Sequence, residues 1–210
     1  MKKLLLTIMM TLLANLSLAA DINDIAASAE DVSPLLNGET IPENMLFTPQ
    51  GKPVKLSDIV SKKPTVLVFY RGGWCPYCSR QLAELRNAEE KIIELGYQIV
   101  AISPDSPQRL QEQALSSEFD VTLLSDSNLD TIADFGLGFF LDDRTAMRYQ
   151  DKLGVQFVAL DGTSKVALPV PAVYVVDTDG LIHFQYVNPN YKVRVSPELL
   201  YQATKVLNLK

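Results

Sequence analysis

A chain of 210 residues that is 47% hydrophobic and 21% charged has the balance of an ordinary globular domain with a sizeable core. Its formal net charge of −6 excludes the basic face that a nucleic-acid partner demands. A domain of this size does not need a covalent staple, so its two cysteines already lean towards chemistry.

Residues 1–20 read as a signal peptide: a basic MKK start, the apolar run LLLTIMMTLLANL, and small residues at Ser17-Leu18-Ala19. The apolar run is short for a membrane span, so cleavage near Ala19 or Ala20 is expected, with no stable membrane insertion of the mature chain. Removing Lys2 and Lys3 takes the charge from −6 to −8. The short basic start has bacterial proportions and predicts export to the periplasm, an oxidising compartment.

Residues 21–35 form a small, polar lead-in, with a short helix expected around Ile25 to Val32. Met45 to Leu56 alternates about Gln50-Gly51-Lys52, the pattern of a hairpin. Thr65 to Tyr70 is a buried strand by its β-branched, apolar content. Leu82, Leu85, Ala88, Ile92 and Leu95 then recur at threes and fours, a helix that Gly96 stops. Gln98 to Ser103 is the next strand, and Ser106-Pro107 opens another helix with proline at its first position. Val121 to Leu124 and Ser127 to Phe135 read as strand and helix. Residues 139–168 read as an insertion, amphipathic around Met147 to Leu153, with a turn at Asp161-Gly162. Ala172 to Val176 and Leu181 to Val187 flank Asp177-Thr-Asp-Gly180 as strand, turn and strand, and a helix runs from Ser196-Pro197 to about Leu207. The alternation predicts an α/β fold, a three-layer sandwich with a mixed central sheet flanked by helices.

Both cysteines lie in Phe69-Tyr-Arg-Gly-Gly-Trp-Cys-Pro-Tyr-Cys78, where the strand meets the helix. Pro76 suits the first helical turn, which puts Cys75 at or next to the N-cap. There, unpaired N–H groups and the helix dipole favour a thiolate, so Cys75 is expected to be the accessible, activated sulfur. Cys78 shares a face with Leu82 and Leu85 and is expected to be the shielded, resolving sulfur. A disulfide closing so short a loop constrains the unfolded chain little, and two cysteines with one histidine fall short of a structural zinc set. No metal or other cofactor is expected. His183 reads as a surface residue on an alternating strand, and Asp177 and Asp179 read as turn formers.

Trp74-Cys-Pro-Tyr-Cys78 after an apolar strand and before a helix resembles the active-site loop of the thioredoxin superfamily. The longer run from Phe69 resembles the CxxC-containing, peroxiredoxin-like branch of the alkyl hydroperoxide reductase/thiol-specific antioxidant group. The resemblance implies a thioredoxin-like redox domain over 36–210, with catalytic Cys75 and Cys78. It also implies substrate-binding roles for Trp74, Arg71 and Pro171.

Two registers compete within it. The peroxiredoxin loop Pro-x-x-x-Thr/Ser-x-x-Cys places its proline on Arg71, its hydroxyl on Cys75 and its peroxidatic sulfur on Cys78, so two of three positions are replaced. That family's second essential residue, an arginine before the late strand, falls near Pro171 and is absent there. The thioredoxin register instead makes Pro171 a cis-proline facing the cysteines, although the carboxylate that many thioredoxins carry is Phe69 here. The expected activity is that of an exported thiol–disulfide oxidoreductase fed by an upstream dithiol reductant. The alternatives are a thiol peroxidase acting on hydrogen peroxide or organic hydroperoxides, and a non-catalytic redox-sensing module.

N-terminal sequencing of the protein from its native compartment should find a start at Ala20 or Asp21. A tightly membrane-bound chain that begins at Met1 would contradict export.

Overall fold

A computed structural model describes residues 25–116, 121–153 and 165–209. The signal segment and the Asp161-Gly162 turn lie outside these residues. Among the described residues, no helix is long and apolar enough to cross a membrane.

The chain order is β1 (Met45–Phe47), β2 (Pro53–Lys55), α1 (Leu56–Val60), β3 (Thr65–Phe69), α2 (Pro76–Glu94), β4 (Gln98–Ser103), α3 (Pro107–Ser116) and β5 (Thr122–Ser125). It continues with α4 (Asp130–Asp134), β6 (Gly138–Phe140), α5 (Asp143–Leu153), β7 (Ala167–Pro169), β8 (Ala172–Val176), β9 (Ile182–Val187) and α6 (Pro197–Leu207). Seven strands form one mixed sheet in the order β2-β1-β5-β4-β3-β8-β9, while β6 and β7 form a separate antiparallel pair. Within the large sheet β3, β4 and β5 run parallel, and β8 joins β3 antiparallel. This is the expected mixed sheet flanked by helices.

Strand β3 shows why the sheet has helices on both faces. Val66, Val68 and Tyr70 enter one core with Cys75, Cys78, Leu82, Leu85 and Leu200. Leu67 and Phe69 enter the other with Leu46, Leu56, Ile132 and Phe135. A period of two with both phases apolar can be buried only between two layers. Its partner β8 divides in the same way, with Val173 and Val175 on the first side and Tyr174 and Val176 on the second.

Helix α2 follows from its spacing and its ends. Cys78, Leu82, Leu85, Ala88 and Ile92 are all buried along one face. Pro76 occupies the first turn, and Gly96 adopts φ +93° just beyond the Leu95 C-cap, where its N–H donates to the Ile93 carbonyl. The left-handed conformation is the reason that a glycine ends this helix.

Other expectations shift. The hairpin forms about Gly51, but Leu56 begins α1 rather than ending a strand. Among its described residues the lead-in forms a 3-10 turn at Ala29–Asp31 rather than a longer helix, while Ile25 is buried and Ala26 bridges Phe139. The 139–168 stretch supplies the amphipathic helix α5 and strand β7 around its undescribed middle. His183 is not a plain surface residue, since its Nε2 lies 2.7 Å from Asp177 Oδ2. Partial burial works upward on Asp177, but His183 and the amides of Leu181 and Asp179 outweigh it and hold this carboxyl below its usual range.

Leu85 is 1% exposed at the centre of the α2 seam. Leu85→Ala should cost about 2–5 kcal/mol in urea unfolding, whereas Glu84→Ala on the solvent face should stay within about 0.5 kcal/mol.

Candidate active site

The β3–α2 loop is held by backbone conformation and by one buried carboxylate. Gly72 adopts φ +135°, and a Cβ there would meet Trp74 Nε1 at 2.3 Å and Asp105 Oδ1 at 2.8 Å. The Gly73 N–H donates to Asp105 Oδ2 at 2.7 Å, which ties the loop to the end of β4. Burial pushes the Asp105 carboxyl up, and the Gly73 amide and the Arg109 charge only partly offset it. On the far side of the loop, Ser79 Oγ donates to the Gly73 carbonyl at 3.1 Å. The two glycines therefore let the chain turn tightly between a strand and a helix while its indole and its anchor occupy the same corner.

Cys75 is the N-cap of α2, with extended backbone at φ −87° and ψ 113°. The Cys78 and Ser79 N–H groups both donate to its carbonyl, at 2.9 and 3.0 Å. Its thiol is pulled down from an ordinary 9.0 to about 6. The Cys78 thiol is the largest cause as a donor; burial opposes it, and the Cys78 amide and the Arg71 and Arg194 charges add to it. Cys78 moves the other way, well above 9.0, because burial and the neighbouring Cys75 sulfur both penalise its thiolate. Both thiols are free in this structure. The pair thus divides into one sulfur that ionises near neutrality and one that remains a thiol, with the helix terminus, the guanidiniums and the donor geometry all favouring Cys75.

The expectation that Cys75 is exposed is corrected: it is 2% accessible and Cys78 is 0%. Side chains from distant segments sit around the loop. Arg71 is itself buried, and its guanidinium lies 5.3 Å from the Trp74 ring, 5.3 Å from Tyr149 and 4.6 Å from Tyr191. Its Nε has no hydrogen-bond partner among the described residues. Tyr149 comes from α5 and packs on Trp74 at 5.4 Å, while Tyr191 comes from the β9–α6 loop and meets Tyr77 edge-on at 5.5 Å. A guanidinium held by aromatic faces keeps its charge while losing little to hydration, so it acts as a fixed cation beside the sulfurs.

Arg194, from the same loop as Tyr191, reaches the cysteines. Its Nη2 donates to Cys78 Sγ at 3.5 Å and its Nη1 to Gln81 Oε1 at 2.7 Å. Sequence reasoning missed Tyr149, Tyr191, Arg194 and Gln81. The Tyr186-to-Tyr191 run stands out in the sequence, but nothing local ties it to a loop so far upstream.

Of the sequence-derived site residues, Cys75, Cys78, Trp74 and Arg71 converge. The expected cis-proline at Pro171 does not form, since no peptide bond among the described residues is cis. Pro171 instead joins β7 of the small pair to β8 of the large sheet. Val170 N–H donates to the Leu137 carbonyl at 2.9 Å, and the Pro171 carbonyl accepts from Asn188 N–H at 3.3 Å. The cis geometry expected at this proline is therefore absent, while its neighbour Ala172 pairs with Phe69 at the end of β3, where the cysteine loop begins.

No group of three or more ligating side chains able to hold a metal occurs among the described residues. What the arrangement can do is thiol chemistry: a nucleophilic sulfur, a second sulfur one turn away to close a disulfide, and two guanidiniums to hold negative charge.

Comparison with known proteins agrees in kind. The model of the AhpC/TSA family matches residues 37–185. Chloroplastic peroxiredoxin Q of Sedum lineare is 28% identical over 72% of this chain and 68% of its own length. Peroxiredoxin Bcp of Escherichia coli is 28% identical over 50% of this chain and 67% of its own. Among solved structures, peroxidoxin BcpB of Mycobacterium tuberculosis superposes with a TM-score of 0.61 at 24% identity, covering 81% of this chain and 95% of its own. Reduced Prx3 of Vibrio vulnificus in complex with hydrogen peroxide gives 0.62 at 18% identity, covering 81% and 96%. At those identities the superpositions establish the thioredoxin-type fold.

Thiolate ultraviolet absorbance should rise with pH through a midpoint near 6, since a depressed thiol is neutral below that pH and charged above it. Cys75→Ser should abolish the step. Cys78→Ala, which deletes the thiol donor, should move the midpoint upward.

Proposed function

The chain belongs to the AhpC/TSA family, and from that premise and its paired thiols we propose that it is a dithiol peroxidase in which Cys75 meets the peroxide and Cys78 resolves. One observation carries the choice between peroxide and disulfide as oxidant: the sulfur with the depressed pKa is almost wholly buried. A bulky disulfide must bring its own sulfur into line with the attacking thiolate, which a covered sulfur resists. Hydrogen peroxide is about the size of two waters and needs only a narrow path. Relatives named as peroxiredoxins favour the same reading.

In the proposed cycle the Cys75 thiolate attacks one peroxide oxygen and the O–O bond breaks. The sulfur is oxidised to a sulfenic acid, and the leaving hydroxide or alkoxide takes a proton to become water or an alcohol. Cys78 then attacks the Cys75 sulfur, an S–S bond forms, and the sulfenic oxygen leaves as water. An external dithiol returns both sulfurs to the reduced state. Arg71, permanently charged and fixed between three rings, stabilises the negative charge on the attacking sulfur and on the oxygen that leaves. Trp74 and Tyr149 pack together beside the Arg71 guanidinium, and in this reading they give α5 a part in selecting the oxidant by size.

The broader reading, thiol–disulfide exchange with small substrates, draws support from the two replaced positions of the peroxiredoxin loop, Arg71 and Cys75. Export to the periplasm completes the proposal and rests on the N-terminal pattern of residues 1–20.

Trp74 is the sole tryptophan, one of the rings around the Arg71 guanidinium and next to Cys75, so its fluorescence reports the site. In stopped flow, the reduced protein should react faster with hydrogen peroxide than with oxidised glutathione, and cumene hydroperoxide should fall between them. Faster reaction with the disulfide would replace the peroxidase reading with thiol–disulfide exchange.

A further inference from the structure

Arg194 has no counterpart in the sequence reading, and its charge is the smallest of the influences that lower Cys75, yet its guanidinium is fixed on the other sulfur. It lies 116 residues beyond Cys78 in sequence. Its Nε–H donates to the Tyr191 carbonyl at 2.8 Å and its Nη1–H to Gln81 Oε1 at 2.7 Å. Those two acceptors leave the Nη2–H aimed at Cys78 Sγ, 3.5 Å away. Gln81 is only 4% exposed and sits next to Leu82 on α2, so it holds the guanidinium from the same helix that carries the thiol. Tyr191 is fixed in turn against Tyr77 and over Arg71. A half-buried arginine with two of its donors satisfied and a third directed at sulfur is a preorganised device for one atom.

A neutral thiol gains little from such a donor, because sulfur is a weak acceptor. A thiolate gains a charge-assisted hydrogen bond in surroundings that water does not screen. Cys78 must carry that charge at two moments: when it attacks, and when it leaves.

We propose that Arg194 is a catalytic residue of the resolving half-reaction, its Nη2–H stabilising Cys78 as a thiolate both when the disulfide closes and when it is reduced. The inference rests on the paired-thiol cycle above. On closing, the Cys78 S–H bond breaks, its sulfur forms a bond to the Cys75 sulfur, and the Cys75 S–O bond breaks; the released hydroxide takes the Cys78 proton and leaves as water. On reduction, the external dithiol's thiolate attacks Cys75, and Cys78 departs as a thiolate against the guanidinium before taking a proton. Among the described residues the ionisable groups that act on Cys78 are Cys75, Arg194 and Tyr70, beside the Arg71 backbone amide, and burial keeps the Tyr70 hydroxyl protonated.

The test isolates resolution from peroxide chemistry. Methyl methanethiosulfonate converts reduced Cys75 to its methyl disulfide, and attack by Cys78 then releases methanethiol. Acid quench and intact mass follow both steps. Arg194→Gln should slow the first step only slightly, because Arg194 is the smallest of the influences that lower Cys75, and should slow methanethiol release about 10- to 100-fold, the factor that a hydrogen bond to a charged group supplies. Its rate–pH midpoint should shift upward, and Arg194→Lys should recover part of the loss. Gln81→Ala, which frees Nη1, should slow the same step by a smaller factor and decides the matter if Arg194→Gln fails to fold by circular dichroism. Unchanged release in a folded Arg194→Gln protein overturns the proposal, as does equal slowing of both steps. Failure of the peroxidase reading would show separately, as a wild-type protein that ignores hydrogen peroxide while methanethiol release still depends on Arg194.

Discussion

The structure turns on the junction where β3 ends and α2 begins. A buried strand delivers the chain to the N-terminus of a long helix, and a cysteine stands at the cap, where the helix dipole favours negative charge. Everything near the site serves that junction. Gly72 permits the turn, Asp105 anchors it through the Gly73 amide, and Pro76 starts the helix where its missing N–H costs nothing. The apolar seam from Cys78 to Ile92 then locks the helix onto the sheet, so the cap cannot drift from the strand.

The same burial sets a conflict that the arginines resolve. A thiolate in an apolar corner is costly, and two sulfurs one turn apart cannot both ionise cheaply. Cys78 therefore keeps its proton and donates to Cys75, while the Arg71 and Arg194 charges also favour the Cys75 thiolate. Neither cation is paired with a carboxylate among the described hydrogen bonds and ion pairs; their visible partners are aromatic faces, a carbonyl, an amide oxygen and sulfur. A carboxylate there would quench the field on which Cys75 depends.

Local pattern made the junction readable from sequence, and long range hid its surroundings. The β3 run, the α2 spacing, Pro76 and Gly96 are all short-range signals, and they locate Cys75 at the cap without any structure. Accessibility is a different matter. The cap position suggests an open sulfur, but Tyr149 from α5 and Tyr191 from the β9–α6 loop pack on the aromatic and cationic side chains around it, and neither contact leaves a mark in a local window. Arg194 escapes for the same reason, being tied to α2 across 113 and 116 residues. Pro171 misleads in the opposite direction: a proline before a late strand fits the pattern of a cis bond, whereas here the bond is trans and joins β7 to β8.

The central claim is that the helix-cap sulfur, not the deeper one, is oxidised first, against the order that the peroxiredoxin loop register implies. Mass spectrometry of dimedone-trapped protein after a brief pulse of hydrogen peroxide decides it directly. Cys78→Ser should accumulate the adduct on Cys75, and Cys75→Ser should stay unlabelled on the same timescale. Rapid labelling of Cys78 in Cys75→Ser would contradict the account and make the buried sulfur peroxidatic.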